Sequence, residues 1–504
     1  MNLKRILKAA YAVALVAAFI AAPAAFQKAW AADENRDFVR QIQLFDTVAN
    51  YVRLNYVKEI DAQELIYGGI RGMLGRLDEH TIFLEPDDFR LLLNDTEGSF
   101  GGLGIEIAVT PEDSTLTVMN VLEGTPAEKA GLLARDKIVE IDGASTEGFT
   151  TRDALVKMRG EPGTDVVLGI VRKDYPDKLT FKITRRLIHV DSVPYYFMAA
   201  PDVGYIRIAN FARDQERTTT GDTEKAILAL REQGMKKLIV DLRGNPGGAL
   251  DEAVGLAGLF LKKGALVVST RGRSRRWEDR KFFVTKDPLC AKEPVVIVVD
   301  SSSASAAEVF TGALKDHKRA TVVGEKTYGK ASVQTLIPLT AAADEGTGPG
   351  LKLTIAYYYT PNGDLIDGKG IEPDVALAPA KTALIVAKLF EAGYYRVYAE
   401  EYLDKNGAGA LDAFQRDAGA FDVFRAWVGA RGLSFYPQGY AETLPDNGKE
   451  FYLAAMDKDR AQLMVMLTRE MLTETQGEAA AYEYWRRQDP WVARAVGVAE
   501  GKRP

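Results

Sequence analysis

The sequence predicts a multidomain α/β protein, and three observations predict it. Its 504 residues suggest about three domains at roughly 150 residues each. From Val203 onward, apolar strand runs alternate with helical stretches, the pattern of helices layered on a largely parallel sheet. Ahead of that region lie short β runs punctuated by glycine, and helical periodicity marks both ends of the chain. With 47% hydrophobic and 27% charged residues, disordered, collagen-like and multi-span membrane classes are excluded. The formal charge is −6; residues 1–31 hold Lys4, Arg5, Lys8 and Lys28 and no acid, leaving 60 bases against 70 acids, or −10. That acidic balance argues against a nucleic-acid partner.

The first segment, residues 1–31, reads as an address. Lys4, Arg5 and Lys8 precede an uncharged run from Ala9 to Gln27, followed by Ala29-Trp30-Ala31. These are the basic, apolar and small-residue regions of a secretory signal, with cleavage expected after Ala31 or Ala32. An uncleaved anchor is the alternative, because 19 uncharged residues approach the ~20 that span a bilayer. Either way the body is expected to be exported, most simply to a periplasm. The single cysteine, Cys290, allows no intramolecular disulfide.

Residues 34–97 read as a helical region, since Phe38, Ile42, Phe45, Val48, Val52 and Tyr56 recur at spacings of three and four. Pro86 and Asp87 open a further short helix. A packing or dimerisation arm is the expectation, and with it a homo-oligomer. Residues 98–187 hold GSFGGLGIEIAV, STLTVMNVL, KIVEIDG, DVVLGIVR and KLTFKIT, with short helices at Pro126–Gly131 and Arg152–Arg159. Five or so strands and two helices in that length predict a compact half-barrel.

Residues 188–378 follow as the α/β core: VGYIRIANF, a helix to Gln233, KKLIVDLRG, a helix over 249–261, ALVVST, PVVIVVD, a helix over 304–317 and ATVVG. Leu238–Leu242 and Val295–Val299 are apolar on both faces, as strands between helix layers are. The core closes on SVQTLIPL, LKLTIAYYYT and the turn Pro361-Asn362-Gly363. Residues 379–504 read as a helical extension with Trp427, Trp485 and Trp491 and no catalytic spacing, suited to packing, assembly or an adaptor protein.

Three stretches could carry chemistry. Ser301-Ser-Ser-Ala-Ser305-Ala-Ala-Glu308 follows a buried strand and opens a helix, where unpaired N–H groups stabilise an oxyanion; an N-cap cluster is the plainer reading. Gly324-Glu-Lys-Thr-Tyr-Gly329-Lys330-Ala331-Ser332-Val-Gln334 has the spacing of a phosphate-cradling loop. Against that stand Ala331 where a magnesium-binding hydroxyl belongs, a β-branched run instead of a helix, and export away from nucleotide. The other reading pairs Ser305 with Lys330 as general base. Such a lysine must lose its proton, so its pKa must fall from about 10.4 towards 7 to 8 by burial. Gln334 shares a strand face with Lys330 and either orients the amine or faces solvent. Asp241-Leu-Arg-Gly-Asn-Pro-Gly247-Gly248 ends a buried strand and is either a strand-to-helix turn or part of an oxyanion hole.

Of the three histidines, His80 lies in the helical lead-in and His189 at the boundary of the half-barrel, and His317 sits about 12 residues, roughly 18 Å, along the helix from Ser305. A Ser-His-Asp triad is therefore excluded. No HExxH or other metal-ligand spacing appears, and neither metal nor cofactor is expected.

These residues together resemble the carboxyl-terminal processing proteases, also called tail-specific proteases. The likeness runs from about residue 38 to 378, through LDEHTIFL, the run Gly124-Thr-Pro-Ala-Glu-Lys-Ala-Gly131, DLRGNPGG, SSSASAAEVFTGALKDH and GEKTYGKASVQ. The Ser-to-Lys interval of 25 residues and the Lys-to-Gln interval of four both match. The resemblance implies a crotonase-like catalytic core, an inserted PDZ domain, Ser305 as nucleophile, Lys330 as base and Gln334 as its orienter. Oxyanion donors would be the N–H of Ala306 and of Gly247 or Gly248, and Asp316 would be structural. Gly101, Gly102, Leu103, Gly104 and Ile105 would receive a peptide's C-terminal carboxylate and apolar tail, with the helix over 152–159 across the groove. Ala307 departs from the family, where many members carry serine. The rival from another class is a non-catalytic PDZ scaffold that binds tails without cutting them.

Overall fold

The computed structural model describes residues 36–433 and 448–502, except 98, 111–113, 123, 134, 173–174, 176, 190, 214–216, 275–278, 341–347, 380–381 and 408. The expected signal segment lies outside the described residues. The chain divides into two units, Met1–Leu84 with Leu351–Leu353, and Glu85–Gly350 with Thr354–Pro504.

The first unit holds helices α1 (36–55) and α2 (Ala62–Leu74). Asp61 caps α2, its carboxylate accepting from Glu64 N at 2.9 Å. A short strand β1 (Ile82–Leu84) interrupts the region expected to be wholly helical. The periodic row on α1 does not face a core: Phe38 is 64% exposed and Ile42 51%.

In the second unit, α3 (Pro86–Glu97) leads to the half-barrel. Its strands are β2 (Ser99–Gly102), β3 (Ile105–Val109), β4 (Leu116–Val121), β5 (Lys137–Ile141), β6 (Ala144–Ser145), β7 (Asp165–Val171), β8 (Leu179–Thr184) and β9 (Arg186–His189). Between them lie α4 (Pro126–Ala130) and α5 (Thr151–Met158). Val166, Leu168 and Ile170 alternate inward on β7 and meet Val118, Ile138 and Ile141 in one core. Pro126 opens α4 and Gly131, at φ 82°, closes it. The sheet runs β3-β4-β5-β7-β8, so β3 is an edge strand. β2 pairs with β9, Ser99 opposite His189.

The core contains β10 (Tyr195–Ala200), β11 (Val203–Arg207), α6 (Thr219–Glu232), β12 (Lys237–Asp241), α7 (Leu250–Gly258), β13 (Leu266–Arg271), β14 (Arg280–Phe283), β15 (Val295–Val299), α8 (Ala306–Asp316), β16 (Ala320–Gly324), β17 (Ser332–Pro338), β18 (Gly350–Tyr359) and β19 (Val375–Ala376). The main sheet has the order β10-β11-β12-β15-β16-β19, parallel from β11 onward. One face packs on α6, α7 and α8 through Ile227, Leu256 and Phe310.

The C-terminal helices are α9 (Leu384–Glu391), α10 (Tyr394–Asn406), α11 (Ala410–Arg416), α12 (Ala420–Arg431), α13 (Lys449–Lys458), α14 (Arg460–Gln476), α15 (Glu478–Arg487) and α16 (Pro490–Ala499). A core of their own, with Tyr395, Phe424, Tyr452 and Leu467, joins the earlier helices. α16 behaves differently: Trp491, Val492, Ala495 and Ala499 cover the second face of the main sheet, against Tyr205, Ile239, Val298 and Val323. Trp491→Ala should lower the unfolding free energy by about 3–5 kcal/mol. A urea titration reads this, and a loss under about 1 kcal/mol, within the range of an ordinary surface change, would make α16 peripheral.

Candidate active site

Parallel strands deliver their following loops to one edge. Asp241 on β12 lies beside Val298 on β15, and Val299 beside Gly324 on β16, so the segments 242–249, 300–305 and 325–331 emerge together. Open α/β sheets place ligands at this carboxyl edge. The first two segments are stapled: Asn245 O accepts from Ala304 N at 2.9 Å, Ser303 Oγ donates to Leu242 O at 2.8 Å, and Gly244 N donates to Asp300 Oδ1 at 2.9 Å.

Ser305 stands at the N-terminus of α8 with φ 56° and ψ −116°, a left-handed conformation that L side chains avoid. The Ala306 N–H has no acceptor among the described residues. Gly247 abuts this turn, and a Cβ there would stand 2.7 Å from Ser305 Cβ and 2.9 Å from Ala306 N. With φ at 100° as well, only glycine fits. The sequence left the second oxyanion donor open between two glycines. Gly247 N donates to Asn245 Oδ1 at 2.8 Å, whereas Gly248 N has no acceptor among the described residues.

The residue that sequence reasoning passed over is Glu308. Its carboxylate is fully buried and takes four donors. Oε1 accepts from Thr327 Oγ1 at 2.6 Å and Gly329 N at 2.7 Å; Oε2 accepts from Ser305 N at 2.9 Å and Lys330 N at 2.8 Å. One carboxylate oxygen thus holds the backbone of Ser305 and of Lys330 less than two hydrogen-bond lengths apart. Burial pushes the Glu308 carboxyl above its ordinary range, while the bonds from Thr327, Gly329, Ser305 and Lys330 pull it back. Ser305 and Glu308 have the spacing of a capping box, the signal that could have exposed it. The same bonds dispose of a phosphate loop, because the Gly329 and Lys330 N–H groups already have an acceptor and β17, not a helix, follows.

Lys330 is half-buried, two residues ahead of β17. Gln334 lies within β17, also half-buried, and its Nε2 donates to Thr354 Oγ1 at 3.3 Å. Asp316, at the far end of α8, accepts from Asn362 N at 2.9 Å, and His317 Nε2 meets Leu266 O at 2.8 Å; both are structural. Cys290 is buried, which pushes its thiol up to about 11 and makes it inert. In the half-barrel, Gly101 and Gly102 are not in a loop but within β2, paired with Leu187 and Arg186 of β9; they are buried, as are Leu103 and Gly104 of the turn that follows, and Ile105 opens edge strand β3 half-buried. The Leu103 carbonyl accepts from Ala127 N at 2.9 Å. Gly104 has φ 81° and leaves no room for a Cβ beside Thr125.

The sequence pattern of Peptidase family S41 matches residues 202–377, and that of the PDZ domain residues 101–183. The chain is 39% identical over 342 residues to the carboxy-terminal-processing protease of Bartonella bacilliformis, covering 67% of this chain and 75% of that one. It is 30% identical to the carboxy-terminal processing protease CtpB of Bacillus subtilis, covering 85% and 82%. Among solved structures, a photosystem II D1 C-terminal processing protease shares 31% identity, covering 66% of this chain and 86% of that one, with a TM-score of 0.39. On the strength of these sequence relatives, the chain belongs to the carboxyl-terminal processing proteases, the PDZ-containing serine peptidases of family S41.

Proposed function

We propose that this protein is an exported serine endopeptidase that captures unstructured protein C-terminal tails in its PDZ groove and cleaves near them with a Ser305–Lys330 dyad. The observation that carries the reading is the strained Ser305 turn, whose N–H shares one Glu308 oxygen with the N–H of Lys330. The Lys330 amine takes the Ser305 Oγ proton, and the oxygen attacks the peptide carbonyl carbon. The Ala306 and Gly248 N–H groups receive the oxyanion. The protonated amine then donates to the leaving amine, and water attacking the acyl-enzyme restores Ser305. Gln334 orients the lysine from β17.

The PDZ half-barrel is read as an insertion before a crotonase-like core. A tail adds as a strand to the edge of β3, its carboxylate over the turn Leu103-Gly104 that joins β2 to β3, facing α5. Export rests on the basic, apolar and small-residue pattern of residues 1–31. A homo-oligomer is supported by the apolar face that α1 leaves exposed.

Two unstructured substrates that differ only in a free or amidated apolar C-terminus test the reading. The wild type should cut the free-tailed substrate faster, and Lys330→Ala should cut neither. Equal rates on both substrates would remove tail capture, and binding without cutting would leave a scaffold.

A further inference from the structure

The C-terminal helices, which no motif explains, reach the loop 242–249 through buried charge. Asp489 caps α16, its Oδ1 accepting from Trp491 N at 2.8 Å. Its Oδ2 accepts from Arg243 Nη1 at 2.7 Å and from Arg486 Nη1 at 2.9 Å. Arg243 turns its other edge to Asp241, with Nε 3.0 Å from both carboxylate oxygens and Nη2 2.5 Å from Oδ2. Asp241 is fully buried and also accepts from the Tyr205 hydroxyl at 2.7 Å, itself 3.1 Å from the Tyr482 hydroxyl on α15. The side chains of Arg243 and Asp489 are 12% and 9% exposed, so water screens the pair little.

Arg243 is therefore gripped from two directions, by its own strand end and by the cap of the last helix. Asp241 alone fixes one edge of the guanidinium and leaves Nη1 unheld. The loop that follows bonds Ala304 through the Asn245 carbonyl and packs Gly247 on Ser305, so its path decides where the Gly248 N–H points. We propose that Asp489 is a positioning residue for the active site. It holds Arg243, and through it the loop 242–249, in the geometry that aims the Gly248 N–H at the developing oxyanion. The inference rests on the Ser305 chemistry proposed above.

Asparagine caps a helix as well as aspartate does, so Asp489→Asn keeps the bond to Trp491 N while removing the charge that faces Arg243. The test uses the full chain and compares wild type, Asp489→Asn and Asp489→Glu in two assays: kcat and KM on a free-tailed peptide, and the labelling rate of Ser305 by a fluorophosphonate. For Asp489→Asn, kcat and labelling should fall together by about 10- to 100-fold, with KM within about twofold. The thermal midpoint should fall, because Asp489 also holds Arg486 and neither guanidinium is well solvated, so both rates are read well below the variant's unfolding transition, and Asp489→Glu should recover part of the loss. The proposal is overturned by unchanged kcat and labelling, by a rise in KM alone, or by a loss that tracks only the unfolded fraction. A wild type that neither cuts nor labels sinks the underlying Ser305 reading. A reactive wild type with an equally reactive Asp489→Asn sinks the positioning role alone.

Discussion

Replacing Ser305 or Lys330 with alanine is expected to lower kcat by about 10⁴-fold or more, and replacing both should cost no more than either alone. In the proposed mechanism nucleophile and base act in one proton transfer, so the second deletion has nothing left to remove. The fold should survive each change. The Ser305 and Lys330 contacts that tie the segments together are made by backbone N–H groups, which alanine keeps. A third variant separates strain from chemistry. Ser305 holds φ 56°, at a cost on the order of 1–3 kcal/mol, so Ser305→Gly should be inactive yet unfold at higher urea than Ser305→Ala. Stepwise kinetics on the single and double variants, with urea titrations alongside, read both effects. An additive double variant would mean that the two residues serve separate steps.

Much of the site was legible because its pieces are short and local. The buried run Leu238–Leu242, the glycines after it and the Ser-rich turn before a helix are each written in consecutive residues. Parallel pairing then brings their ends together without further information. Which of Gly247 and Gly248 keeps an unbonded N–H was not legible, since it depends on where the Asn245 side chain bonds. Nor was the second layer of the core. Both faces of Val295–Val299 read as buried, but nothing in the spacing said that a helix almost two hundred residues later, carrying Trp491, covers one of them. The 379–504 region reads as one helical stretch because periodicity reports which face is apolar, not what that face meets. The row on α1 shows the same blindness, being periodic and yet exposed.

Glu308→Gln is expected to lower kcat by about 100-fold, because a displacement of about 1 Å in a catalytic group is worth that much. It should also destabilise the fold by about 1–3 kcal/mol for each buried donor left without an acceptor. Four donors face two carboxylate oxygens, and an amide offers one oxygen and one NH₂. With the NH₂ in the place of Oε2 it confronts the N–H of Ser305 and of Lys330, and the clamp on the dyad opens. Flipped, it confronts the Gly329 N–H and turns the Thr327 hydroxyl, which already accepts from Ile371 N at 2.7 Å. Glutamine preserves the volume, so the loss reports hydrogen bonding and not a cavity. The pH dependence gives a second reading with opposite signs. Burial raises the Glu308 carboxyl above the usual value near 4.3. Its contribution to stability is full below that value and falls as pH climbs through the raised one. If the proposed dyad needs the ionised clamp, activity should climb over the same interval. In Glu308→Gln both slopes should vanish, which urea titrations and kcat/KM profiles from about pH 4 to 8 would register. A variant that keeps the wild-type acid limb would assign that limb to another group and leave Glu308 as a simple helix cap.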